Sequence, residues 1–186
     1  MKKVLLLFLA VMCLSFNQAF AYRASDFSSD TKIVAAINML EQAGETDVLR
    51  NLQRHAIRIS FDDLSCVSIS SSKAYAVSTF NKYGTRVIMI NSIYRNAPTE
   101  QIACLIAHES CHTKQVADLE EETIATQKEA ATWIRLRSAS KTYPDSKLTK
   151  RLNNLGNMYL ASTPNNNLVK QKIASNGFYR SQLGLN

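Results

Sequence analysis

Histidine, cysteine and long apolar runs are all scarce in this chain. Its one strongly apolar run, Val4 to Leu14, covers 11 residues, against about 20 for a bilayer span. A transmembrane anchor is therefore excluded there, and no other segment comes closer. The three prolines and five glycines are scattered, and neither repeats nor an interdomain linker is visible. For 186 residues this implies one domain of ordinary size. Lys and Arg outnumber Asp and Glu by 22 to 15. The excess is spread along the sequence and calls for no nucleic-acid partner, although a basic surface favours anionic partners.

The N-terminus reads as an export signal. Lys2 and Lys3 precede the apolar run, and Ala19-Phe20-Ala21 has the small-x-small pattern of a signal peptidase site. Cleavage would leave a chain beginning at Tyr22, so residues 22–186 form the expected domain. Met12 stands where a lipid-anchor site at Cys13 would need a small residue. Loss of Lys2 and Lys3 lowers the formal charge from +7 to +5. The product would be periplasmic or extracellular, with no membrane attachment after cleavage. Three cysteines then remain: Cys66, Cys104 and Cys111. The last two, on one helix, would lie roughly 10 Å apart along its axis and cannot bridge. An internal disulfide would have to join Cys66 to one of them. The alternative is three small buried hydrophobes.

The remaining pattern predicts an α+β fold. A small antiparallel or mixed sheet packs against one apolar helix, and the C-terminal half is helical. Helical spacing runs from Asp30 to Gln53, with a break at Gly44. Strands are expected at 56–61, 73–80 and 85–91, with a short one at 67–69. Asn81-Lys82-Tyr83-Gly84 joins two of them as a hairpin. The apolar content of Val87 to Ile90 marks a substantially buried strand. Pro98 opens a helix expected to end near Lys114. Asp118 to Glu121 has the form of a capping box, with Glu121 folding back on the cap of a helix spanning 119–140. Helices are also expected over 145–160 and 167–174.

Within the Pro98 helix lies His108-Glu109-Ser110-Cys111-His112. A four-residue separation is slightly more than one helical turn, so the two imidazoles share a face and can hold one zinc ion. Glu109 sits about 100° around the helix, where it can reach a water on the metal. A catalytic zinc usually takes a third protein ligand. The sequence has one other histidine, His55, which precedes a strand and reads as an ordinary surface residue. Glu122, Ala125 and Glu129 share a face of the next helix. If that helix packs antiparallel to the first, Glu122 is the favoured third ligand and Glu129 the alternative. Glu121 is assigned to the cap, and the small Ala125 permits close approach.

These residues carry a resemblance. The stretch Ala103 to His112, the strand Arg86 to Ile90 before it and Glu122-Thr123-Ile124-Ala125 after it resemble the zincin clan of zinc metallopeptidases, in its glutamate-ligand (gluzincin) branch. Glu122 to Ala125 matches the Glu-x-x-Ala pattern common there. Glu122 follows His112 by ten positions, fewer than gluzincins usually allow. The metzincin pattern is absent, since Gln115 and Asp118 replace its glycine and last histidine. The resemblance implies an edge strand before the active helix, zinc as cofactor and a peptide or protein substrate. It implies hydrolysis by a zinc-bound water with Glu109 as general base. Tyr94, Tyr143 and Tyr179 are candidates by type for holding the oxyanion. Strand 86–90 or its hairpin neighbour could pair with an extended peptide. Two other readings fit the same motif: a zinc amidase acting on cell-wall or other small amides, and a secreted binding protein with a coincidental H-E-x-x-H.

Overall fold

A computed structural model describes residues 23–66, 74–114 and 117–185. The signal-like segment and the expected strand at 67–69 lie outside them. Among the described residues, no helix is long and apolar enough to cross a membrane.

The elements run α1 (Thr31–Gln42), α2 (Thr46–Arg54), β1 (Arg58–Asp62), β2 (Ala76–Phe80), β3 (Arg86–Asn91), α3 (Thr99–Ser110), α4 (Leu119–Leu136), α5 (Lys147–Ala161), α6 (Leu168–Ser175) and α7 (Gly177–Gln182). This is the α+β architecture expected, with a mixed three-stranded sheet and a helical C-terminal half. Asp30 caps α1 by accepting from the backbone N–H groups of Lys32 and Ile33. Gly44, at φ 74°, turns the chain between α1 and α2.

The sheet order is β1-β3-β2. β2 and β3 form the expected hairpin, with Ala76 opposite Ile90 and Phe80 opposite Arg86. In its turn Asn81 Oδ1 accepts from the N–H groups of Tyr83 and Thr85, and Gly84 adopts φ 74°. β1 pairs parallel to β3, from Arg58 opposite Val87 to Asp62 opposite Asn91. β3 is therefore the central strand, which corrects the expectation of an edge strand at 86–90. Its apolar run fits that position, since Ile88 and Ile90 are fully buried. Among the described residues β1 and β2 are the outer strands of the sheet.

α3 is buried along its whole length. Ile102, Ala103, Cys104, Ile106 and Ala107 are fully buried with Ile33, Ile37, Leu40, Ile88 and Ile90. A helix apolar on all sides can exist only when covered on all sides, and the sheet, α1 and α4 cover this one. α3 ends at Ser110 rather than near Lys114. The N–H of Cys111 bonds to the carbonyl of His108 and that of His112 to Glu109, so the last turn tightens to i→i−3 spacing. α4 also stops early, at Leu136, where Arg137 turns to extended backbone. At its far end Trp133 is fully buried, stacks edge-on to Tyr143 and donates from Nε1 to Asn153 of α5 at 3.0 Å. Gly156 brings α5 against it: a Cβ there would stand 3.4 Å from Ile134 and 3.5 Å from Trp133.

Cys104 and Cys111 are both free thiols. Of the two readings the sequence left open, a disulfide to Cys66 or small buried side chains, neither Cys104 nor Cys111 adopts the first. Cys104 sits in the core, where burial pushes its thiol well up. Cys111 donates from Sγ to Ala107 O at 3.4 Å, and burial raises it to about 11. Neither thiol is poised to react.

Candidate metal centre

α4 returns antiparallel to α3 through the turn after His112. The pairing shows this directly: His112 faces Glu121 and His108 faces Glu129. Asp118 makes the turn possible by accepting from Glu121 N at 2.9 Å as the cap of α4. The capping box is only half present, because the Glu121 side chain leaves the cap. Its Oε1 accepts from both the N–H and the hydroxyl of Thr113, each at 2.7 Å. These two bonds tie the α3–α4 loop to α4 directly after His112.

His108, His112 and Glu122 converge. Their ligand atoms all lie within 4.8 Å of one another, and the group could hold a metal ion. The separations are 3.2 Å between the two Nε2 atoms, 3.6 Å from His108 Nε2 to Glu122 Oε1 and 3.7 Å from His112 Nε2 to Glu122 Oε2. Nitrogen and oxygen ligands about 2.0–2.1 Å from a tetrahedral zinc stand about 3.3–3.4 Å apart. The two nitrogens already stand at about that separation, and each lies 3.6–3.7 Å from one of the two Glu122 oxygens. The donor set is also one that wants a cation. Each imidazole turns Nδ1 toward a carboxylate and Nε2 toward the other ring, so two lone-pair positions and a carboxylate face one another across a buried space.

Glu129, the alternative third ligand, is brought to the site but not to this triangle. It meets the opposite nitrogen of His108, with Oε2 3.1 Å from Nδ1. Glu121 Oε2 stands 3.7 Å from His112 Nδ1. Glu122 is steadied by Thr126 one turn along, whose hydroxyl donates to Oε1 at 3.3 Å. The face shared by Glu122, Ala125 and Glu129 is the buried face of α4, as its spacing predicts. His55, by contrast, caps the end of α2 in an exposed position.

Glu109 Oε2 lies 4.0 Å from His112 Nε2, beside the triangle but outside it. Burial, reinforced by Glu122 and Glu129, raises its carboxyl to about 7. Burial alone would lower His108, yet Glu122 and Glu129 outweigh it and carry the ring to about 9. Burial and the neighbouring His108 hold His112 at about 4. Two imidazoles in contact are thus driven in opposite directions, because one positive charge fits the space and two do not.

Two contributors, Arg86 and Arg151, were not legible from the motif, and a third, Tyr179, was named only by type. Arg86, the first residue of β3, donates from Nη2 to the carbonyl of Glu109 at 3.0 Å and from Nε to Ser78 Oγ of β2 at 3.0 Å. A buried guanidinium thus ties the sheet to the last turn of the metal-site helix. Arg151 of α5 forms an ion pair with Glu129. Tyr179 of α7 hydrogen-bonds Arg151 and feels the charges of Glu122 and Glu129. Of the three tyrosines singled out by type, Tyr179 reaches the site. Tyr143 packs on Trp133 and Tyr94 stacks on Tyr75.

No family model, curated protein or solved structure matches this chain.

Proposed function

We propose that the protein is a zinc-dependent hydrolase of peptide bonds, acting outside the cytosol. The observation that carries this reading is the convergence of His108 Nε2, His112 Nε2 and the Glu122 carboxylate, with the Glu109 carboxyl 4.0 Å from one of them. Two imidazoles and one carboxylate make a hydrolytic zinc set that leaves a fourth position open. A structural zinc would have no use for a second carboxyl, that of Glu109, beside its ligands. When bound, zinc would supply Lewis acidity toward a water and the scissile carbonyl.

The chain's own residues supply the rest. Glu109 accepts the water's proton on its carboxylate and passes it to the leaving amine. Arg86 holds the Glu109 backbone from below and keeps that carboxylate aimed at the site. Tyr179, hydrogen-bonded to Arg151, is the one of the three candidate tyrosines that approaches the acidic groups of the site, and the oxyanion role proposed for it rests on that position. Among the described residues β2 is an outer strand of the sheet, and an extended substrate could add a strand there. Ser78 of β2, through Arg86, links that strand to the Glu109 turn. Export rests on the Lys2-to-Ala21 pattern.

The test uses the purified chain from Tyr22 onward, loaded with zinc, and a peptide library read by mass spectrometry. Wild type should cleave, and Glu109→Gln should bind zinc stoichiometrically and cleave at least 10³-fold more slowly. Cleavage that survives Glu109→Gln, or a wild type that takes up no zinc, rejects this function.

A further inference from the structure

The motif fixes which residues face the metal, but not what holds His108 in place. Glu129 is fully buried, and its two oxygens are divided. Oε2 lies 3.1 Å from His108 Nδ1, and Oε1 is paired with the Arg151 guanidinium. Arg151 comes from α5, 22 positions further along the chain. Its guanidinium also lies 4.9 Å over the Tyr75 ring and hydrogen-bonds Tyr179. It is thus fixed from the segment before β2, from α4 and from α7 at once.

We propose that Glu129 and Arg151 are a positioning pair for His108. The inference rests on the zinc reading above. Glu129 holds the Nδ1–H tautomer and the ring angle, leaving the Nε2 lone pair directed at Glu122 and His112. Arg151 anchors the Glu129 carboxylate from α5 through the ion pair at its other oxygen. It also occupies the oxygen that would otherwise be free to swing into the metal triangle. That division of labour explains why Glu129, on the same face as Glu122, supports a ligand and does not serve as one.

A plain stabilising ion pair makes a different forecast. Buried pairs contribute little net stability compared with apolar replacements, and their loss should leave ligand geometry untouched. The two roles separate in Glu129→Gln, Arg151→Met and the conservative Arg151→Lys. Each is purified as the chain from Tyr22, stripped of metal and titrated with Co²⁺. Affinity is read by competition with a chromophoric chelator, geometry by the visible d–d bands and folding by the thermal midpoint of the metal-free protein. Glu129→Gln and Arg151→Met should bind Co²⁺ about 10–100-fold more weakly, with shifted bands, and Arg151→Lys should recover part of the affinity. Unchanged affinity and bands with a lowered midpoint would mark a merely structural pair and overturn the proposal. If Arg151→Met does not fold, Glu129→Gln and Arg151→Lys decide by the same criteria. Wild type that binds no Co²⁺ overturns both this proposal and the zinc function; wild-type binding with unaffected variants overturns this one alone.

Discussion

The Nε2 atoms of His108 and His112 stand 3.2 Å apart. Two neutral imidazoles that both carried their proton on Nδ1 would oppose lone pairs at that distance, and a metal ion held between them would relieve the repulsion. A metal that binds the native state and not the unfolded chain stabilises the fold by mass action. Zinc at 100 times its Kd should add about 2.7 kcal/mol. For a chain of this size that raises the melting temperature by about 5–11 °C. Calorimetry with zinc and with a chelator checks it; His108→Ala should abolish the shift.

The same pair sets the pH behaviour of metal-free protein. His108 is raised to about 9 from an ordinary 6.5, so its contribution is fully present below pH 6.5 and is lost as pH rises through 9. Glu109 is raised to about 7, so its contribution too is lost as pH rises through 7. His112 acts oppositely: held at about 4, it favours the fold above pH 6.5 and opposes it as pH falls toward 4. Between pH 7 and 9 the stripped protein should lose stability steadily. Bound zinc would take over the role of the His108 proton, so the loaded protein should show a flatter profile. Parallel urea titrations across this range would check it; identical slopes with and without zinc would contradict the shared-cation account.

Glu121 makes a separate prediction. Its two bonds to Thr113 and its approach to His112 Nδ1 fix the turn that delivers the second histidine. Glu121→Ala should leave Thr113 N–H unpaired and free the loop between α3 and α4. The expected cost is about 1–3 kcal/mol, with metal affinity reduced roughly tenfold. Hydrogen exchange should rise at residues 111–114 and not in the interior of α3.

Much of this was legible in the sequence because it depends on local spacing. The i, i+4 histidines, the Gly44 break, the Asn81–Gly84 turn and the face shared by Glu122, Ala125 and Glu129 are all set within a few residues of one another. What was hidden depends on which elements become neighbours. The apolar run of β3 announced a buried strand, yet nothing in 58–62 announced that β1 would pair parallel to it and make it central. Glu121 read as a cap because a capping box is a local pattern, whereas Thr113 wins it through the loop. Arg86 and Arg151 carry no spacing signal at all. Their roles arise because a sheet and a later helix approach the motif from opposite directions.

Ala125 offers the most direct steric test of the centre. It is fully buried on α4, between Glu122 one turn before and Glu129 one turn after. Its small side chain lets α4 lie close enough to α3 for Glu122 to reach 3.6–3.7 Å from both imidazoles. Ala125→Leu adds volume where none is free and should cost about 1–3 kcal/mol. More tellingly, it should push α4 outward and withdraw Glu122 from the histidines, while the histidine pair, set by α3 alone, stays intact. Zinc affinity should then fall well beyond the loss in stability. Ile124→Leu, one position away on the exposed face, should change neither. If Ala125→Leu bound zinc as tightly as wild type, close helix approach would not be what places the carboxylate.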